Sequence, residues 1–379
     1  MKTSVCLFAA ALLAASYVWA ADSANDIDWN RARDLHQRWQ RGERLASADQ
    51  AYLDRAKAQR QQRPPSSRQG EPAPAAVAAV AQTGGTHREV APLEVRFKRL
   101  NSICLHPNGN LLAADGGARE LKEVTRDGKV VRTLAPGMAP EAVATAPDGT
   151  IYCGGGGKLV LFAADGKIVK TVSLPVAAVQ VGAPDPRRAR DHGEMVSGLV
   201  IAGPHIFAAI GAGWSVGSKS RLFRFDRELG QPTLIAQGLR GCCQRCDLAA
   251  RDNTLFIAEN AAHHVVRCDI NGKVLATWGT RAREGLEGFG SCCNPMNLCF
   301  GSDGTLYTAE SGLGRIKRYK PDGTFLNLVG YVDVERFNTA GSLAASCSNI
   351  SFAVAPDGRR VFIMDYKNNL IRVLEQPAS

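Results

Sequence analysis

From about residue 88 the chain alternates short apolar runs with polar turns, and the turns recur. Ile103–Asp115 reads as an apolar run, Pro-Asn-Gly, then a second apolar run ending in an acid. The same grammar returns at Val143–Tyr152, Leu248–Glu259, Leu298–Glu310 and Phe352–Asp365, with a degenerate copy at Val196–Ile210 that turns at Gly203-Pro204. Four copies carry a second turn, at Asp127-Gly128, Asp165-Gly166, Asn271-Gly272 and Asp322-Gly323, 17 to 19 residues after the first. Asp-Gly and Asn-Gly between alternating apolar runs mark hairpins, because these residues tolerate the positive φ of tight turns. Four strands per unit, repeated every 40 to 55 residues, predict the blades of a β-propeller.

The first turns number six, so the fold class is all-β, a six-bladed propeller over residues 88–376. The sixth unit stops after Leu370–Leu374 with no fourth strand of its own, which leaves an open edge. Glu89–Phe97, alternating at Val90, Leu93, Val95 and Phe97, is the segment expected to close the ring from the N-terminal side.

Ahead of the repeats the pattern changes. Residues 21–63 are polar and rich in Arg and Gln, with apolar positions at helical spacing: Trp29, Leu35 and Trp39, then Tyr52, Leu53 and Ala56 after a Ser47…Gln50 capping pattern. This predicts a short α-helical N-terminal extension. Residues 64–87 are Pro- and Ala-rich and read as a linker.

The units resemble NHL repeats. Leu306-Tyr307-Thr308-Ala309-Glu310 with Arg315-Ile316, and Phe256-Ile257-Ala258-Glu259 with His264-Val265, follow that family's pattern of a strand ending in an acid and a next strand opening on a base. The resemblance implies a six-bladed propeller across about 290 residues. It implies no single activity, since such folds serve as binding platforms, lyases, lactonases and sensors.

Composition adds a destination. Lys2 precedes the apolar run Val5–Ala21, closed by small residues, which is the pattern of a signal peptide spanning residues 1–20. A periplasmic or secreted protein is expected, with no membrane span after cleavage. The net charge of +10 is spread thinly without a run of five like charges, so no nucleic-acid partner is expected.

Eleven cysteines then become the candidate chemistry. Cys104, Cys153, Cys268 and Cys299 fall inside strand patterns and are expected in the core. Cys242, Cys293 and Cys347 each stand 11 residues before the first turn of their units, with Cys243, Cys246 and Cys292 beside them. That register is the loop leading into the innermost strand, so these thiols are expected at one mouth of the central channel. Carried backwards, the register reaches Met138 and, in the irregular third unit, His192.

Three fates are open for this set, one of them a redox-active or cofactor-contacting pair. In an oxidising compartment Cys242, Cys243, Cys246, Cys292, Cys293 and Cys347 would form structural disulfides between neighbouring blades. Kept reduced, Cys242, Cys243, Cys292, Cys293 and Cys347 with Met138 or His192 would suit Cu or Zn. Asn101, Asn297 and Asn349, with Asp247, offer instead an oxygen-donor set of the kind Ca takes. Of the adjacent histidines His263 and His264, one is expected to face solvent and the other to fill the basic position of its repeat.

The function expected is binding of a protein or small-molecule ligand through a cysteine-lined channel mouth. The alternatives use the same face: a metal-dependent lyase or hydrolase, lactonase-like or amidating-lyase-like, or a thiol redox or copper-binding protein. The Trp29–Arg63 helices are a further candidate for docking a partner.

Overall fold

In the computed structural model the described residues are 27–28, 31–32, 35, 38, 45–62, 85–175, 194–211, 220–242, 245–282, 285–291, 293–334 and 349–378. The expected signal peptide, residues 64–84 of the linker, Trp29, Trp39, His192, Cys243, Cys292 and Cys347 lie outside them. The chain divides into two compact units, residues 1–71 and 72–379.

In the first unit, helix α1 spans Ser47–Gln62, and Arg31, Ala32, Leu35 and Arg38 are helical as well. Tyr52, Leu53 and Ala56 share one buried face, as their spacing predicts, and pack with Ala32 and Leu35. The Asp28 amide donates to the Tyr52 hydroxyl at 2.8 Å, and the Arg31 guanidinium lies 4.4 Å from the Tyr52 ring centre. The two helical segments therefore do hold a small core, centred on one aromatic ring.

The second unit is the propeller, with six four-stranded antiparallel sheets. β1 is Arg88–Val90. Blade 1 is β2 Leu100–Leu105, β3 Leu111–Asp115, β4 Glu120–Val124 and β5 Val130–Leu134. Blade 2 is β6 Ala142–Thr145, β7 Ile151–Gly155, β8 Lys158–Phe162 and β9 Ile168–Ser173. Blade 3 is β10 Met195–Ala202, β11 His205–Gly211, β12 Ser220–Asp226 and β13 Thr233–Leu239. Blade 4 is β14 Asp247–Arg251, β15 Thr254–Glu259, β16 His264–Asp269 and β17 Val274–Trp278. Blade 5 is β18 Asn297–Phe300, β19 Leu306–Glu310, β20 Arg315–Tyr319 and β21 Phe325–Tyr331. Blade 6 is β22 Phe352–Val354, β23 Arg360–Asp365 and β24 Leu370–Glu375, completed by β1 as its outer strand.

The first turns of blades 1, 2, 5 and 6 are built by an Asx contact followed by glycine, whereas blade 3 turns at Gly203-Pro204 and blade 4 at a left-handed Asp252. In the first of them Gly109 N–H donates to His106 O at 2.9 Å, Asn110 N–H donates to Asn108 Oδ1 at 3.0 Å, and Gly109 alone takes the left-handed conformation at φ 87°. Asp148, Asp303 and Asp357 repeat the side-chain contact two residues on, at 2.9, 3.0 and 3.0 Å. The acid of Asp-Gly is thus selected for its carboxylate rather than for a positive φ.

Ring closure follows the expected segment but uses fewer residues. Only Arg88–Val90 pair with β24; Val95 and Phe97 run on as coil and bury their side chains beside Ile371 and Val373. A buried ion pair locks this joint: Arg372 donates to Glu89 Oε1 and Oε2 at 2.7 and 2.9 Å.

The acids that end the second strands explain how the loops feeding the channel are held. Asp115 accepts from the Lys98 and Arg99 amides at 3.0 Å each and pairs with Lys122 at 2.9 Å. Glu259 accepts from the Arg240 amide at 2.7 Å and meets His264 at 2.5 Å; Glu310 accepts from the Gly290 amide at 2.8 Å and pairs with Arg315 and Lys317 at 2.6 and 2.7 Å. His263 does not face solvent as expected. It is buried at the end of a 3-10 turn, with Nε2 3.3 Å from Ser291 O.

Candidate functional site

The inner strands β2, β6, β10, β14, β18 and β22 line a channel of about 300 Å³. At its mouth each blade contributes at least one polar side chain: Asn101, Glu141, Ser197, Asp247 with Arg245, Asn297 and Asn349. Asn101 and Ser197 sit at irregularities in the β2–β3 and β10–β11 pairings, the local bulging that re-aims a side chain.

Each of these groups grips a neighbouring blade. Asn101 Nδ2 donates to Pro140 O at 2.7 Å, Glu141 Oε2 accepts from Val196 N at 2.9 Å, and Ser197 Oγ donates to Cys246 O at 2.9 Å. Asp247 Oδ2 accepts from Leu298 N at 2.7 Å, Asn297 Oδ1 accepts from Phe352 N at 3.2 Å, and Asn349 Nδ2 donates to Asn101 O at 2.8 Å. These six contacts run once round the ring, so the mouth is both lined and stapled by one set of residues.

Two members are carboxyls set in the narrow channel. Burial raises Glu141 above the usual carboxylate range, against the Val196 and Gly156 amides and the charges of Arg245 and Arg99. Burial pushes Asp247 up to about 7, against the Leu298 and Leu248 amides and the Arg245 charge. By its own exposed surface Asp247 is only partly buried, but the narrow channel around it replaces water with protein. A carboxyl that exchanges its proton near neutrality is equipped to bind a cation or to act as acid and base.

The thiols are distributed differently from the expectation. Cys246 is fully buried between blades 3 and 4, and burial pushes its thiol up to about 12. Met138 is buried with Leu134 and Cys153 between blades 1 and 2. Cys293 is buried between blades 5 and 6, with Cys242 packed against the same cluster. None of these four lines the channel, whereas Cys104 and Cys299, expected in the core, are partly exposed along it. Among the described residues no three His, Cys, Asp or Glu side chains converge to hold a metal ion.

Glu141, Ser197 and Arg245 escape a reading based on cysteine spacing. The signal for the ring lies six to nine residues before each first turn, where Asn101, Glu141, Ser197, Asp247, Asn297 and Asn349 all fall.

No protein-family model matches the chain, and no curated protein matches it. Among solved structures it is similar to regucalcin, a calcium-binding protein from Agrobacterium tumefaciens, with a TM-score of 0.50 and 13% identity over 76% of this chain and 96% of that one. It is likewise similar to a gluconolactonase from Xanthomonas campestris, with a TM-score of 0.50 and 16% identity over 79% of this chain and 93% of that one. At these identities the likeness establishes a shared fold: the chain is a six-bladed β-propeller.

Proposed function

We propose that this propeller binds a small oxygen-rich molecule in its channel mouth, with Glu141 and Asp247 as acceptors and Arg245 as the countercharge. The observation that carries the reading is the pairing of two carboxyls, both held above their ordinary range, with an arginine in one channel of about 300 Å³. That volume is at the small end of ligand pockets. The repeat grammar, with its acid-to-base ion pairs from β3 to β4, β15 to β16 and β19 to β20, supports assigning the blades to the NHL type.

A second reading is hydrolysis, favoured by an Asp247 carboxyl that titrates at about 7. The donor set at the mouth is oxygen throughout, which suits Ca rather than Cu or Zn. Glu141, Asp247, Asn101, Asn297 and Asn349 would hold such an ion, which would polarise a substrate carbonyl. The calcium-binding and gluconolactonase descriptions of the two similar structures support trying this chemistry first. The clustered cysteines remain a separate proposal, as disulfide or metal partners of the loops before blades 4 to 6.

Calorimetric titration with glucono-1,5-lactone and with gluconate, each with and without Ca, tests both readings. Losing a charged hydrogen-bond partner costs about 1.5–3 kcal/mol, so Glu141→Gln and Asp247→Asn should each weaken binding about 10- to 100-fold. Affinities untouched by both substitutions would remove the site from the mouth. Lactone turnover that requires Ca and disappears in Asp247→Asn would select the hydrolase.

A further inference from the structure

The channel changes character along its axis. The polar ring stands where the inner strands begin; where they end, the lining residues are Leu105 of β2, Thr145 of β6, Ile201 of β10, Ala250 of β14 and Phe300 of β18. Thr145 Oγ1 donates to Leu105 O at 2.8 Å, so the ends of blades 1 and 2 lie at one level. That hydroxyl is thereby turned to the backbone, and four of the five groups at this depth are hydrocarbon.

These side chains are not wholly consumed by packing between blades. Leu105, Ile201, Ala250 and Phe300 are each only partly buried, although each also touches an interblade core, Phe300 edge-to-face with Phe256 at 5.0 Å. By contrast Leu100, Leu111 and Ile206, which serve the cores alone, have no exposed surface. Apolar surface left facing a narrow channel gains most when another apolar group displaces the water there.

Resting on the reading of the mouth as a ligand site, we infer that the ligand is a short amphiphile. Its oxygen-rich head is held by Glu141, Asp247 and Arg245, and an unbranched hydrocarbon chain runs down the axis to Leu105, Ile201, Ala250 and Phe300. The size limit is set by the channel: about 300 Å³ is roughly ten water volumes, enough for a small ring and a few methylenes.

A homologous series with one head decides it: γ-butyrolactone, γ-hexalactone and γ-octalactone, titrated into the full chain. Each added methylene that reaches the apolar end should tighten binding about fourfold until the channel is filled. Ile201→Thr and Leu105→Gln should each flatten that dependence. Two variants on different blades are used so that one poorly folded protein does not decide the outcome, and thermal melting identifies it. A flat series in the wild type, or a slope that survives both substitutions, overturns the amphiphile. If Asp247→Asn leaves every member's affinity unchanged, the mouth site itself has failed; sensitivity to Asp247→Asn with a flat series rejects the tail alone.

Discussion

The ring closure gives the sharpest energetic test. Arg372 is 1% exposed and Glu89 10%, and their bidentate contact joins the N-terminal strand β1 to β24. Glu89→Ala removes both hydrogen bonds from Arg372 and the one from the Asp333 amide at 2.8 Å, and leaves a buried guanidinium with Asp365 Oδ2 at 3.6 Å and Asp333 O at 2.6 Å. Breaking a buried pair costs about 3–5 kcal/mol, and the residual contact with Asp365 puts this case near 3 kcal/mol. The same strand supplies a control. Arg360 and Glu375 meet at 3.2 Å with 38% and 35% of their side chains exposed, so Glu375→Ala should cost less than about 1 kcal/mol. Urea unfolding of both variants reads the difference as a shift in midpoint, and hydrogen exchange at the Leu93 amide, which donates to Ile371 O at 2.9 Å, reads the local opening. Equal midpoints for the two variants, or unchanged exchange in Glu89→Ala, would refute the idea that this ion pair holds the ring shut.

Other outcomes follow from the same contacts. Burial lowers the His87 pKa against the Gly358 carbonyl, with Arg318 adding to the lowering; a proton is therefore taken up by the unfolded chain first. Stability should fall as pH drops below about 6.5, by no more than about 1.4 kcal/mol per pH unit from this residue, and His87→Gln should remove that slope in urea melts. Asp247 has the opposite sign: its raised carboxyl holds in the native state a proton that the unfolded chain releases above about 4, so its contribution to stability falls as pH rises towards 7. Asp247→Asn should therefore gain about 1–3 kcal/mol over the wild type at pH 8 and nothing at pH 4. Deleting residues 22–80 leaves every described strand of the six sheets in place, and calorimetry should place the main transition within about 2 °C of the full chain.

Much of the fold is legible because its punctuation is local. An Asx contact and one left-handed glycine suffice for four of the six first turns, so Asn108-Gly109 and Asp303-Gly304 announce their hairpins without help from distant residues. The closing strand is legible by subtraction, since β24 ends the repeats one strand short. Its extent is not: Val95 and Phe97 alternate like strand residues, but their apolar side chains anchor a coil in the core. The mouth is harder to read. The distance from lining residue to first turn varies from six to nine residues even among the regularly paired blades, so no fixed count from the turns reaches all six lining residues. The cysteine count is regular, yet Cys242 and Cys293 both pack against one cluster between blades 5 and 6 instead of lining the channel.

The ring itself distinguishes what holds the mouth together from what it is for. Four blades make their staple with a neutral group, Asn101, Ser197, Asn297 and Asn349, at distances from 2.7 to 3.2 Å. Neutral side chains therefore meet the structural need. Glu141 and Asp247 perform the same stapling, accepting a neighbouring blade's backbone amide at 2.9 and 2.7 Å, yet their carboxyls are raised by the loss of water. An asparagine at position 247 would accept the Leu298 amide without that penalty. A carboxyl retained where an amide would be more stable is the mark of a group kept for its charge or its proton, and such costs concentrate at sites that bind or react. The two carboxyls come from blades 2 and 4, with Ser197 as the polar side chain of blade 3 between them, so any molecule contacting both must reach past blade 3 rather than rest on a single blade.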